Sequence, residues 1–386
     1  NLGAAVNVPS TLAFSGAYTP QSGGAGLTFN VGAGVTVSMA SATLTTGAQN
    51  WVLTKSGAGT LILPGWVNWD GAAATTLSAG TLELRGIMGD STDFRALTAS
   101  PGGTLRLATD AASSDFMSGV TAASGVNIEG GRITSGATSG TRTLGTLSLG
   151  GALNVSRAAT ITGAGTTTIA FNGATTLTAN ATLNVGANAT LNLGAISGNF
   201  TQAKEGAGTW SIFGANSSTG AITVNGGVLN LTGASGTAAS ATAFAINNGA
   251  SLTLNNASGA NNTNRIAGTV TMNGGSFNFT HTAGALNYSE TVGNLTIGGG
   301  INTIATSQAA TGQTSILTFG TLSRTAGVVN FSGPGLGVDG RNRILFTGGV
   351  TSGQPIGTWA TYNGTDYAAY DSTNGVVPLT AYTDVT

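Results

Sequence analysis

Short apolar–polar alternations fill this chain, each four to six residues long and each closed by Gly, Asn-Gly or Gly-Gly. Thr81-Leu82-Glu83-Leu84, Thr104-Leu105-Arg106-Leu107 and Thr146-Leu147-Ser148-Leu149 are examples. Val228-Leu229-Asn230-Leu231, Ser251-Leu252-Thr253-Leu254 and Ser276-Phe277-Asn278-Phe279 repeat the pattern further on. A period of two places the second and fourth residues on one face of a strand and the third on the other. Strand, tight turn, strand is therefore the expected grammar throughout. Only 89–99 and 235–246, with Asp or Ser starts and Ala content, look able to hold a helical turn or two.

The finest repeat is an octad. Ala181-Thr182-Leu183-Asn184-Val185-Gly186-Ala187 returns as Ala189-Thr190-Leu191-Asn192-Leu193-Gly194-Ala195. Eight residues suffice for one strand and a corner, and three such sides make a coil of roughly 20–25 residues. The expected fold is all-β: a right-handed parallel β-solenoid rod of about 15–19 rungs. Residues 1–333 are expected to form the rod and 334–386 a distinct C-terminal β cap or interface module. That last stretch holds Tyr362, Tyr367, Tyr370 and Tyr382 of the six tyrosines, and Pro334, Pro355 and Pro378.

Both lysines of the chain sit in the same local sentence. Lys55 opens Lys-Ser-Gly-Ala-Gly-Thr and Lys204 opens Lys-Glu-Gly-Ala-Gly-Thr. Each is followed by a strand-like run and a variable loop, Pro64–Gly71 in the first copy and Gly214–Gly220 in the second. The shared markers are Lys55, Gly57 and Gly59, and Lys204, Gly206 and Gly208. Lys-x-Gly-x-Gly-Thr, an apolar alternation, a Gly-Ala-Asn-like turn and a Gly-(Thr/Val)-Leu strand resemble the autotransporter-associated β-strand repeat. That resemblance covers about 55–86 and 200–233, and the first copy departs from it at Pro64–Asp70. It implies a β-solenoid of the kind found in large bacterial secreted and surface proteins. The lysines themselves are expected to mark a corner and to carry no chemistry.

Composition narrows the functions. Charged residues make up 6% of the chain, net charge is −1, and Gly numbers 63. A chain so poor in charge yet 40% hydrophobic is expected to fold rather than stay disordered. Without a basic stripe, nucleic acid is not an expected partner. No apolar run approaches a membrane span. Cysteine is absent, which removes disulfides and thiolate metal sites. No cofactor or metal site is expected, and with so few titratable groups thermal stability should barely change between pH 5 and 9. The chain starts at Asn1 without a leader, as a processed chain or a piece of a longer one would.

Four acids, Asp90, Asp93, Asp110 and Asp115, are the ones that could cluster as glycosidase carboxylates do. They lie among turn residues with basic neighbours, so solvated loop charges are the simpler expectation. Trp66 and Trp69, three apart in a Pro-Gly turn, could stack on a sugar or seal a loop. His281, the sole histidine, ends a strand and has no ligand partners around it in sequence. The expected function is a non-enzymatic structural subunit or repeat unit of an extracellular or cell-surface bacterial assembly. It would join head to tail with copies of itself through β-strand edges, at Leu2, Val6 and Val8 on one end and Tyr382 and Val385 on the other. In the resembled family, a segment like Tyr362-Asn-Gly-Thr-Asp-Tyr-Ala is often followed by an Asn-Leu-Gly strand, which is how this chain begins. An adhesin passenger binding glycans through Trp66 and Trp69 is the alternative, and a polysaccharide-degrading β-helix enzyme a third.

Overall fold

The computed structural model describes residues 10–18, 27–45, 52–63, 66–68, 75–88, 96–256, 261–281, 287–307 and 312–380. Every regular element among them is a β-strand, and none is a helix. Residues 235–246 hold turns and the start of the strand Ala243–Asn247, not a helix. Their alanines are drawn into the core instead: Ala238 and Ala241 are buried beneath the turns. Residues 96–99 are likewise a strand, and 89–95 lie outside the described residues. The chain divides into two compact units, 1–194 and 195–386.

Each unit is a parallel β-solenoid. In the first, Leu61, Leu82, Leu105 and Ile128 pair in strict register on successive coils. All four are buried. Here the alternation seen in the sequence becomes energy, because stacked inward leucines each contribute about 2 kcal/mol when fully removed from water. Coil length shows in the side chains that meet across one rung. Glu83 and Arg106 are 23 apart in sequence, and Asn154 and Asn184 are 30 apart. The solenoid makes about 11 turns, fewer than the octad led one to expect. The longer coils gain a third side, where Ser113–Ala123 and Gly140–Gly150 pair with one another across a bulge at Asp115/Met117. The octad supplies two sides of one coil. Ala181–Val185 and Ala189–Leu193 are both strands, and the corner between them turns on Asn188 at φ 59.

The second unit repeats the plan with coils of unequal length. Ser211 and Asn230, on neighbouring rungs, are 19 apart in sequence, whereas Asn330 and Thr361 are 31 apart. Trp210, Leu229, Leu252, Phe277, Ile304, Phe331 and Tyr362 stack in register along one sheet. The core becomes aromatic toward the C-terminus. Phe277 meets Phe319 edge-on at 5.3 Å, and Phe346 lies 5.9 Å from both Phe319 and Phe331. Parallel pairing then gives way to antiparallel. Asp366–Asp371 pairs antiparallel with Gln354–Pro355, Ala360–Tyr362 and Gly375–Pro378. Two tyrosines anchor this meander: Tyr362 Oη donates to Leu336 O at 2.6 Å, and Tyr370 Oη to Phe346 O at 2.9 Å.

Candidate functional site

The two lysine corners are the same object built twice. Lys55 ends its inward run at 0% exposure, pointing its ammonium into a turn made by its own chain and the next coil. Nζ donates to Ser56 O and Gly57 O, both at 2.8 Å, and to Ala79 O at 3.1 Å. Lys204, also at 0% exposure, donates to Glu205 O at 2.7 Å, Gly206 O at 2.8 Å and Gly226 O at 3.1 Å. An ammonium has three donors, and each cage supplies three carbonyls. Among the described residues, no carboxylate bonds either ammonium. Burial pushes both amines down to about 8, with Glu205 opposing the shift at Lys204.

Glycine makes the cage possible. Gly57 and Gly206 sit at φ 73 and φ 75, which turns their carbonyls toward the ammonium. One coil later Gly80 and Gly227 close the stack. A Cβ on Gly80 would collide with Gly57 O, and one on Gly227 with Gly208 O. The main chain locks the same step, through Thr81 N–H to Gly59 O and Val228 N–H to Gly208 O, both 3.1 Å. The variable loop of the second copy is tied down by Asn216, which is buried and donates to Gln202 Oε1 at 2.9 Å.

The other candidates are placed as follows. Asp110 is exposed and forms an ion pair with Arg132 at 3.2 Å, and the Thr134 N–H holds its carboxyl below the usual range. Asp115 is exposed near the start of its strand. Asp90 and Asp93 lie outside the described residues, and among those described no three acids, histidines or cysteines gather as a metal site would need. Trp66 is in a strand, not a turn: Trp66–Asn68 pairs with Ile87–Met88 on one side and with Leu44-Thr45 on the other. Partners on both sides draw it into the sheet despite the Pro-Gly before it. Trp69 and the end residues Leu2, Val6, Val8, Tyr382 and Val385 lie outside the described residues. His281 ends Ser276–His281 and stacks on Tyr288 at 4.3 Å.

Arg142, Arg265 and Glu290, all buried, escaped sequence reasoning. Arg142 reaches Gly140 O at 2.6 Å and also Gly131 O, and burial pushes it down to about 10. Arg265 bonds Asn256 Oδ1 at 2.6 Å, Gly236 O at 2.5 Å and Gly233 O at 2.7 Å. Glu290 accepts the Arg265 N–H at 2.7 Å and the Ile266 N–H at 3.2 Å through one oxygen, while its Oε2 has no hydrogen-bond partner among the described residues. Burial pushes Glu290 up to about 8. Buried charges of this kind were not included when stability was expected to change little between pH 5 and 9.

Residues 53–84 and 203–231 match the family described as Passenger-associated-transport-repeat. Each match contains one whole lysine cage. No curated protein and no solved structure matches the chain.

Proposed function

Since the chain carries two repeats of the autotransporter-associated β-strand family, we propose that it is a structural stretch of a secreted or cell-surface passenger. It catalyses no reaction and joins further coils head to tail through exposed strand edges. The observation that carries the assembly is the strand Ser10–Tyr18. It pairs in parallel with Val35–Thr45, and among the described residues nothing pairs with its other edge. An open edge of a parallel ladder is a template for another strand. The antiparallel meander at 354–378 serves on this view as an interface module or cap for the opposite end. Of the described carboxylates, Glu83, Glu129, Asp110 and Asp339 are held in ion pairs with arginine.

Light scattering across a concentration series, with negative-stain imaging at the top, tests this. End-to-end multimers are expected, and Leu12→Pro should abolish them by disrupting the template strand. A chain that stays monomeric at every concentration ends the head-to-tail proposal. The glycan alternative rests on Trp66 and Trp69 alone. A glycan array comparing the chain with its Trp66→Ala/Trp69→Ala variant decides it, because an unchanged profile removes it.

A further inference from the structure

An asparagine followed by glycine is prone to lose its side-chain amide, because glycine has no Cβ to shield its nitrogen from the asparagine carbonyl. The chain contains six such pairs, beginning at Asn172, Asn225, Asn248, Asn273, Asn363 and Asn374. The solenoid treats them unequally. Cyclisation needs the glycine nitrogen, and a nitrogen whose N–H is held in a hydrogen bond must first be released. The Gly173 N–H donates to Gly145 O at 2.8 Å, and the Gly249 N–H to Gly274 O at 3.1 Å. The Gly274 N–H donates to Asn302 Oδ1 at 2.7 Å, and the Gly364 N–H to Asn330 Oδ1 at 2.8 Å. Gly375 is buried and sits in the antiparallel ladder opposite Asp371. Gly226 differs. Among the described residues its N–H has no hydrogen-bond partner, and Asn225 before it is exposed.

Two side-chain bonds do hold Asn225. Its Nδ2 donates to Glu205 Oε1 at 2.5 Å, and its Oδ1 accepts from Asn247 Nδ2 at 2.6 Å. Both are exposed, so water replaces them when the side chain rotates. Asn273 is tied to the same ladder, yet its glycine amide is bonded as well, so what sets Asn225 apart is the main chain. That stretch of main chain also closes the second lysine cage, because Gly226 O accepts from Lys204 Nζ at 3.1 Å. In the first unit Ser78-Ala79 takes the same place. The Ser78 N–H donates to Lys55 O at 2.8 Å, as the Asn225 N–H does to Lys204 O at 2.9 Å. Ala79 O accepts from Lys55 Nζ at 3.1 Å. Of the two corners, the second alone carries an amide that can cyclise.

We propose that Asn225 is a site of spontaneous modification that ages the second corner and spares the first. The Gly226 nitrogen attacks Cγ of Asn225 and forms a new C–N bond. Its proton passes to the departing amide, the Cγ–Nδ2 bond breaks, and ammonia leaves. Water then opens the resulting succinimide at either carbonyl, so residue 225 ends as aspartate or isoaspartate. The net reaction consumes water and releases ammonia, with no change of oxidation state. Either product sets a carboxylate against Glu205 where a donor stood, and like charges on adjacent rungs repel. The isoaspartyl form also routes the main chain through the side-chain carbons, which lengthens it just before the carbonyl that Lys204 uses. A buried ammonium that loses an acceptor is destabilised. The proposal is independent of head-to-tail assembly, since it concerns a corner and not an open edge.

Peptide mapping by mass spectrometry, with isoaspartyl-specific methylation, of the whole chain held in mildly alkaline buffer provides the test. In urea the six pairs should convert at similar rates. In the folded chain Asn225 should convert about tenfold faster than any of the other five. Hydrogen exchange in the aged chain should speed up over residues 203–231 and stay unchanged over 53–84. Asn225→Ser, which copies the first corner, should show no such speeding on the same incubation. A fold that protects Asn225 as well as the other five, or that converts another pair first, overturns the proposal. Unchanged exchange over 203–231 in chain converted at Asn225 overturns its link to the cage, as does the same loss of protection in incubated Asn225→Ser.

Discussion

The two units solve one problem with one device and a second problem with different devices. Each buries a lysine against three main-chain carbonyls. The donor distances are 2.8, 2.8 and 3.1 Å at Lys55 and 2.7, 2.8 and 3.1 Å at Lys204, so the two cages are near copies. The rungs beyond that corner are cross-linked differently. In the first unit an ionic ladder climbs from Arg85 through Glu83 and Arg106 to Glu129, with separations of 2.7, 3.4 and 2.8 Å, beside an amide ladder that joins Thr104, Asn127, Asn154 and Asn184. In the second an amide ladder climbs from Glu205 through Asn225 and Asn247 to Asn273, at 2.5, 2.6 and 3.0 Å. The corner is constrained because a buried ammonium tolerates no missing acceptor. The ladder on the outer side of the sheet is free to vary because any group that spans one rung will serve.

The sharpest way to break the comparison is to empty one cage. Lys204→Met leaves three turn carbonyls unsatisfied and should destabilise the second unit by about 2–4 kcal/mol. In a solenoid, coupling passes mainly between neighbouring coils. Hydrogen exchange should therefore speed up over residues 203–231 while 53–84 keeps its protection, and Lys55→Met should give the converse. Uniform loosening of both segments by either variant would show that the cages are not independent locks.

Titration separates the units further. An unfolded chain releases the Glu290 proton near 4.5, but the fold retains it up to about 8. Between those values the folded state holds the extra proton, so the second unit loses stability as pH rises through that window. The lysines act in the opposite sense. Unfolded, they stay protonated to 10.5, whereas the fold releases them near 8, so both units gain stability between about 8 and 10.5. The second unit should show a stability minimum near pH 8, with the acid limb the deeper of the two, and the first the alkaline rise without that acid limb. Unit-resolved hydrogen exchange against pH measures both. Glu290→Gln should remove the acid limb; a fall that persists in that variant assigns the limb to another group.

Legibility followed locality. The Lys-x-Gly-x-Gly corner was visible in sequence because its main partners are one and two residues away. The strands were visible because alternation is a property of neighbours. Arg142, Arg265 and Glu290 gave no such sign. Arg265 is satisfied by Gly233 and Gly236, which lie 32 and 29 residues back, and any Gly-rich stretch of this chain could have filled that role. Trp66 was misplaced for a related reason. Pro64-Gly65 reads as a turn, but Ile87 and Leu44-Thr45 on adjacent coils draw the residues after it into a sheet. Asn225-Gly226 is likewise set apart by register, since as sequence it matches five other Asn-Gly pairs.

The ladders should yield the smallest effects and the clearest contrast. Ion pairs at the surface contribute about 0.2–1 kcal/mol each and are screened by salt; here Glu83 is buried while Arg106 and Glu129 stay half-buried at the surface. Arg106→Ala removes contacts to both Glu83 and Glu129. Its cost should shrink as sodium chloride is raised from about 0.1 to 1 M, because the screening length falls from about 10 to about 3 Å. Asn247→Ala cuts the amide ladder at its centre and should cost about 0.5–1 kcal/mol. Amide hydrogen bonds carry no net charge to screen, so that cost should hold constant across the same salt series. Urea denaturation of both variants at each salt concentration gives the comparison directly. Equal salt dependence would mean that the Glu205 end of the second ladder, and not its run of asparagines, carries the coupling between rungs.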